Sequence, residues 1–250
     1  MWYQVFKYLL IRPAMRLLVR PHLSGVQHIP THGPAILAGN HLGALDTLVL
    51  PALIRRRVTF SAKMELFQGK GVRGRVVAWF LRMVGQVPMD RSGGRASASG
   101  LDPVLEVLRS GGLAGIFPEG TRSPDGRLYR GHTGVARMAL ATGAPVIPVG
   151  MINTQSHPGP LGLPLSHDAH VIIGEPLDYA AWQTRQNDQV VLRWVTNDIM
   201  AHIQQLSGQE YVDVYASRVK YGNLRGVDLS SHVKPGPTTD LEPPRTGEDV

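Results

Sequence analysis

Two short blocks hold the residues best suited to chemistry. Asn40-His41-Leu42-Gly43-Ala44-Leu45-Asp46 sets a carboxylate five residues after an imidazole. On a regular helix five residues turn through about 140°, so the two side chains would not share a face there. They meet if His41 lies in the turn before a helix and Asp46 in its first turns, and Gly43 eases such a turn. A carboxylate on one ring nitrogen fixes the tautomer and leaves the other nitrogen as a base. By itself the pair does not separate a base from a surface histidine beside a helix cap. The second block, Gly115-Ile116-Phe117-Pro118-Glu119-Gly120-Thr121-Arg122-Ser123, runs from an apolar stretch into a turn that offers Glu, Thr, Arg and Ser together. Arg122 presents a planar fork suited to phosphate, and Thr121 and Ser123 add hydroxyl donors. Gly120 allows a left-handed backbone or the close approach of an anion.

Two lesser blocks accompany them. Gln86-Val87-Pro88-Met89-Asp90-Arg91 is a strand end carrying an acid and an arginine. Val146-Ile147-Pro148-Val149-Gly150 is an apolar strand with an internal proline, which marks an edge or a bulge and makes it at most a pocket wall. Other patterns are weaker. Gly69-Lys70-Gly71-Val72-Arg73-Gly74 has dinucleotide-loop spacing, but the strand-like VTFSA run ends seven residues earlier, so it reads as a basic loop. His167-Asp168-Ala169-His170 lacks a third metal ligand. Arg55-Arg56-Arg57 lacks the interleaved aromatics of a nucleic-acid site and reads as a solvated cluster or a contact for lipid headgroups. Tyr211 and Tyr215, four apart, read as one helix face.

The elements that must position these residues alternate. Strands are expected at Ala35–Ala38, Val58–Ala62, Val87–Met89, Leu113–Phe117 and Pro145–Val149. Helices are expected at Thr47–Ile54, Arg75–Val84, from Asp102 (as cap, with Pro103 in the first turn) and at Gly134–Leu140. Ser92–Gly100 reads as a loop. Alternation of this kind argues for an α/β layer architecture. Near the start, Arg12, Arg16 and Arg20 recur every four residues beside Trp2, Phe6, Leu9, Leu10, Met15, Leu17 and Leu18. That pattern fits an interfacial element or a core-packing helix, broken or reopened at Pro13.

Composition narrows the classes. The chain has 250 residues, 43% apolar and 18% charged, enough for a sizeable core. Cysteine is absent, which excludes disulfides, thiolate metal sites and a cysteine nucleophile. No apolar run reaches a membrane span, and no cleaved leader is expected at the start. Residues 1–95 hold 14 Lys and Arg against Asp46, Glu65 and Asp90, a local +11, whereas the whole chain carries +7. A basic half suggests an anionic partner, whether phosphorylated substrate, nucleic acid or membrane surface, or a solvated basic face.

In order and spacing the four blocks resemble the phosphate acyltransferases of glycerolipid synthesis, the lysophosphatidic acid acyltransferase family. Its blocks are N-H-x4-D, a strand ending in D-R, F-P-E-G-T-R-S and an apolar V-I-P-V segment. The third is matched at every position, and together they cover residues 35–150. Gly43 stands where many members carry Ser, and tuning is expected from it. Lys63-Met64-Glu65-Leu66-Phe67 also resembles a family segment.

The resemblance implies a single α/β domain with a mixed, largely parallel sheet flanked by helices, plus an N-terminal helical membrane-docking element. The divisions expected are 1–24 for docking helices, 25–222 for the acyltransferase domain and 223–250 for a disordered Pro- and acid-rich tail. It implies acyl transfer from a thioester, acyl-CoA or acyl carrier protein, to the hydroxyl of a phosphorylated glycerolipid. The first acceptor is 1-acylglycerol 3-phosphate (lysophosphatidic acid), giving phosphatidic acid. Glycerol 3-phosphate, another lysophospholipid, and a non-catalytic lipid-binding role stay open. His41 is the expected base and Asp46 its orienting acid. Lys63, Arg91 and Arg122 are expected at the acceptor phosphate with Gly120 and Thr121, and Glu119 holds Arg122 or a glycerol hydroxyl. Such chemistry needs a base and oxyanion donors but no protein nucleophile, in keeping with zero cysteines. No cofactor, metal or nucleic acid is called for. The expected location is the cytoplasmic face of the cell membrane, on an anionic surface.

Overall fold

A computed structural model describes residues 2–89, 101–155, 157–158, 164–166, 168–238 and 244. At its centre lies β2 (Ala35–Gly39), buried at every position. A strand covered on both faces is a continuous apolar run rather than an alternating one, and AILAG is such a run. On one side β2 pairs in parallel with β5 (Leu113–Ile116), Ala35 opposite Leu113, and on the other with β7 (Val146–Ile152), Ile36 opposite Val146. β3 (Val58–Lys63) extends the sheet beyond β5, and β4 (Val87–Met89) extends it beyond β3, both in parallel. Past β7 come β10 (His170–Ile173), antiparallel, and β1 (His22–Ser24), parallel to β10. The order is β1-β10-β7-β2-β5-β3-β4. The expected mixed, largely parallel sheet flanked by helices is therefore present.

Helices cover both faces. Ile36 and Ala38 point toward α5 (Asp102–Arg109), α6 (Gly134–Thr142) and α7 (Gln189–Ser207), clustering with Leu108, Val135 and Ile199. Ala35 and Leu37, one residue out of phase, join Val49 and Leu50 of α3 (Asp46–Leu53) and Met15 and Val19 near the N-terminus. The N-terminal segment comprises α1 (Trp2–Phe6), a π-turn over Lys7–Ile11 and α2 (Arg12–Leu18). The backbone stays helical from Trp2 to Leu18, so Pro13 lies inside a continuous helical run, and the π-turn just before it accommodates the missing N–H. The inward residues are Lys7, Ile11, Met15 and Val19, four apart; Lys7 donates to the carbonyls of Ile54 and Arg55 at the end of α3. α4 (Gly71–Met83) joins β3 to β4. Smaller pieces are β6 (Leu128–Tyr129), the hairpin of β8 (His157–Pro158) with β9 (Pro164–Leu165), β11 (Tyr211–Val212), α8 (Ala216–Tyr221) and β12 (Val233–Lys234), the first, fourth and last forming a small sheet.

Several expectations are corrected. Residues 223–238 are not a disordered tail: Leu229 is buried, and β12 pairs with β11, Val212 opposite Val233. Residues 239–243 and 245–250 lie outside the described residues, as does the loop expected at Ser92–Gly100. Tyr211 is in a strand and Tyr215 precedes α8, so they share no helix face. Leu101, not Asp102, occupies the cap of α5, without a side-chain bond. Pro148 lies in an inner strand, and it sits at a bulge. The β7–β10 register pairs Ile173 with Val149, whereas the bridge of Val146 with Leu177 is offset by one residue. The offset falls where proline has no N–H to give. Arg56 is a clamp rather than a solvated charge, donating to the carbonyls of Pro30, Gly33 and Gly111. The expected basic loop is helical over Gly71–Gly74, the first turn of α4, and its glycines serve packing: a Cβ on Gly74 would lie 2.2 Å from the Gly69 carbonyl.

One glycine of the sheet has a direct structural task. Gly115 pairs with Phe60 across β5 and β3, and a Cβ there would lie 2.3 Å from the Phe60 ring. Gly115→Ala should therefore cost about 1–3 kcal/mol of stability in urea unfolding, the usual range for overpacking. Adding Phe60→Leu should recover part of that loss; strictly additive losses would show that the ring is not the obstacle.

Candidate active site

Parallel strands bring their C-terminal ends to one edge of the sheet, where open α/β sheets form their crevices. Here that edge receives Asn40–Asp46 after β2, Phe117–Ser123 after β5 and Asn153–Gln155 after β7. Asn40, fully buried, acts as an extra rung on β7: its amide donates to the Met151 carbonyl at 2.8 Å and accepts from the Met151 N–H at 2.7 Å. Its second donor goes to Gln209 at 2.7 Å. The next residue is thereby fixed at the mouth of the crevice.

His41 Nδ1 lies 2.8 Å from Asp46 Oδ2. The helix α3 begins at Asp46, so the pair meets across the turn that precedes it, as the spacing requires. The same carboxylate oxygen accepts from the backbone N–H groups of Leu42 (2.7 Å) and Gly43 (2.8 Å). Those bonds fold the turn onto the carboxylate and hold it toward the ring. Asp46 is fully buried while the His41 side chain keeps slight exposure, so the acid is hidden and the imidazole reaches solvent. With Nδ1 engaged by a carboxylate, that nitrogen carries the proton and Nε2 is the basic one. A side chain at Gly43 would meet the Thr154 carbonyl, its Cβ 2.7 Å away, which is why glycine suits this position here.

Glu119 differs from expectation. It is 0% exposed and holds neither Arg122 nor an open position for a hydroxyl. Its Oε2 accepts from the His41 N–H at 2.9 Å and its Oε1 from the Tyr129 N–H at 3.0 Å. The Ser123 N–H in turn donates to the His41 carbonyl at 2.7 Å. Both backbone groups of His41 are thus held by the Phe117–Ser123 loop. Burial pushes the Glu119 carboxyl up to about 8, with the negative charges of Asp46 and Asp125 adding to the effect and the two N–H bonds opposing it.

The ring of His41 is held as well. It stacks on Phe117 with centroids 4.1 Å apart, and Phe117 stacks on Phe60 at 5.2 Å. Gly120 takes a φ of +74°, beside the ring of His132. Arg122 is exposed beyond it, its carbonyl receiving a 3.3 Å bond from Lys220; no acidic group pairs with its guanidinium among the described residues. Thr121 is half-buried on the same turn. Lys63 closes β3, its backbone opposite Met89 at the start of the Asp90-Arg91 segment. Arg91 lies outside the described residues. At the other end of the sheet His170 and His22 stack and share Asp168, and among the described residues no group of three or more His, Asp or Glu side chains is arranged to hold a metal ion.

The sequence profile of the Acyltransferase family matches residues 20–152, more than half of the chain. The chain belongs to the acyltransferase family. A chloroplastic 1-acyl-sn-glycerol-3-phosphate acyltransferase of Brassica napus is 31% identical over 158 residues, 62% of this chain and 44% of that protein. The chain thus spans less than half the length of that relative. The 1-acyl-sn-glycerol-3-phosphate acyltransferase of Bacillus subtilis is 30% identical over 159 residues, covering 62% of this chain and 72% of that one. The crystal structure of the 1-acyl-sn-glycerophosphate acyltransferase of Thermotoga maritima shares the fold, with a TM-score of 0.60, 24% identity and coverage of 82% and 79% of the two chains.

Three parts of the site escaped the reading of the sequence. Asn40 and Phe117 stand inside the family blocks, yet their tasks, pairing with β7 and stacking on His41, depend on which strands are neighbours. Tyr129 contributes only its backbone N–H, which leaves no trace in residue type.

Glu119 makes the site's stability depend on pH. In the unfolded chain its carboxyl titrates near the ordinary 4.5, and in the folded chain near 8. Between those values the folded state binds a proton that the unfolded state has lost, so this contribution is complete below 4.5 and disappears as pH rises through 8. Glu119→Gln should remove that fall from the pH profile of urea unfolding. Parallel profiles for the two proteins would show that Glu119 does not titrate in this range.

Proposed function

We propose that this chain transfers an acyl group from a thioester to the free hydroxyl of a phosphorylated glycerolipid, with 1-acylglycerol 3-phosphate as the acceptor and phosphatidic acid as the product. The observation that carries this reading is the His41–Asp46 pair, 2.8 Å apart, fixed by its backbone to the loop that bears the exposed Arg122. The relatives named as 1-acyl-sn-glycerol-3-phosphate acyltransferases favour this acceptor over glycerol 3-phosphate or another lysophospholipid. A base held by a buried acid favours an enzyme over a protein that only binds lipid.

In this reading His41 Nε2 accepts the proton of the acceptor hydroxyl as its oxygen attacks the thioester carbon. The tetrahedral intermediate collapses with loss of the thiolate, and the His41 proton passes to the departing sulfur, giving the ester and a free thiol. Asp46 holds the imidazole in the required tautomer and offsets its transient positive charge. Arg122 binds the acceptor phosphate, with Lys63, Arg91, Gly120 and Thr121 assigned to the same group. Glu119 acts behind the site, positioning His41. The donor is acyl-CoA or acyl carrier protein. Acyl chains require an apolar bed, and a small apolar cleft lined by Phe6, Ile11, Leu48, Pro51 and Met83, beside the buried Lys7, adjoins α3, the helix that begins with Asp46.

Of the expected docking element at 1–24, the helical residues 2–18 serve in this reading; the transferase domain runs beyond the expected 25–222, because His22–Ser24 joins the central sheet and Val233–Lys234 pairs with β11. Among the described residues no helix is long and apolar enough to cross a membrane. Exposed Leu9, Leu10 and Leu17 support interfacial docking in this reading, facing lipid on the cytoplasmic side with arginines at the headgroups.

A thiol-release assay with an acyl-CoA and 1-acylglycerol 3-phosphate tests the reading. His41→Ala should lower turnover by about 10²–10⁴-fold while the urea midpoint stays near that of the parent, and near-normal turnover would remove His41 as the base. Arg122→Ala should raise the apparent KM for the acceptor about 10- to 100-fold with a smaller change in kcat. An unchanged acceptor KM would move the phosphate elsewhere.

A further inference from the structure

Helix α4 turns an apolar stripe outward. At about 100° per residue, Val72, Val76, Trp79 and Met83 fall within a stripe roughly 60° wide. Val72 is 70% exposed, Val76 55% and Trp79 54%. The opposite side holds Gly74, Ala78 and Leu81, of which Ala78 is fully packed. A helix serving only the core would bury its large apolar residues and expose the small ones.

Charge borders the stripe. Arg75 and Arg82 lie on one flank and Arg73 on the other, all exposed, and the helix contains no acid. Just before it come Lys70 and the exposed Leu66, and the Arg82 guanidinium sits 5.7 Å from the Phe67 ring. The patch is continuous with the N-terminal segment. Phe6 meets Trp79 and Phe80 edge-on at 6.0 and 6.1 Å, and from there the surface passes to Leu9, 76% exposed.

We propose that α4 is a second lipid-contacting element, lying in the boundary between headgroups and acyl chains of an anionic bilayer. Val72, Val76 and Trp79 enter the apolar side, and Arg73, Arg75 and Arg82 reach lipid phosphates on either flank. The observation is independent of the docking assigned to residues 2–18, because it rests on α4's own exposure and charge. A second copy of the chain is a poorer occupant: a two-fold contact would set this helix's arginines against their equivalents with no acid on the helix to pair them.

The absence of cysteine makes a clean test possible, since Val76→Cys, Leu9→Cys and Val190→Cys each give the full chain a single labelling site. Each protein carries a polarity-sensitive fluorophore and is mixed with vesicles of phosphatidylcholine and phosphatidylglycerol in equal parts. The label at 76 should shift to the blue and be quenched by nitroxide-bearing lipid, an effect weakened by salt. The label at 190, on the exposed start of α7, should not respond. Val72→Asp with Val76→Asp should lower vesicle partitioning by about tenfold or more at an unchanged urea midpoint. A silent label at 76 beside a responsive one at 9 overturns the proposal and leaves N-terminal docking standing. A response at 76 with silence at 9 supports α4 and removes the N-terminal reading. Silence at both removes both. A shift at 76 that follows protein concentration without lipid overturns the proposal in favour of self-association.

Discussion

His41 is gripped through its backbone from both directions before its ring is held at all. Its N–H goes to the Glu119 carboxylate, and its carbonyl receives the Ser123 N–H. These bonds join the loops that leave neighbouring parallel strands, β2 and β5, into one body. Leaving a carboxyl without water is costly, and two N–H bonds offset only part of that cost, which is why burial still dominates its titration. Removing either N–H partner would strand a buried acceptor, so the loops cannot separate cheaply. The orientation of the imidazole relative to Arg122 thus depends on a residue wholly buried from solvent.

The sheet supplies the rest of the constraint. Asn40 fastens the chain to β7 on one side, and Glu119 fastens the next residue to the β5 loop on the other. A one-residue slip of β2 against either neighbour would turn Asn40 outward and exchange the two buried faces that Ile36 and Leu37 serve. The ring is set by a column of aromatics, Phe60 under Phe117 under His41, and that column exists because Gly115 gives Phe60 its space. Packing in the sheet and placement of the imidazole are one problem solved by the same residues.

The local parts of this arrangement were legible in the amino-acid order. An imidazole and a carboxylate five apart can meet only across a turn before a helix, and the structure has that turn and that helix. The inner strands were visible as apolar runs between turn residues, because burial on both faces leaves a continuous signal. What could not be read depended on partners distant in sequence or carried by the backbone. Glu119 looked like a ligand group because a carboxylate beside an arginine usually faces water; its partners are two peptide N–H groups, which every residue but proline has. Arg56 looked solvated for the same reason, since its three acceptors are carbonyls from two separate segments. Residues 223–238 lack a dense apolar pattern, yet pairing with β11, the buried Leu229 and bonds from Gln204 and Asn197 to the carbonyls of Pro235 and Thr238 order them.

Lys7 shows how the N-terminal segment is bound to the site. It is an inward residue of that segment, ending on the carbonyls that close α3. Burial lowers its ammonium to about 8, with Arg12 adding to the effect. A cation at a helix C-terminus complements the helix dipole, and here the helix carries Asp46 at its other end. Ile11, Met15 and Val19 continue the contact with the cluster that includes Val49 and Leu50 of α3. Lifting the N-terminal segment would expose that cluster and leave a buried ammonium and two helix-end carbonyls to find water. The segment that meets lipid in the proposed reading and the acid that orients His41 are therefore anchored to opposite ends of one short helix. In that reading the distance between bilayer and imidazole is set through α3 rather than through a flexible tether.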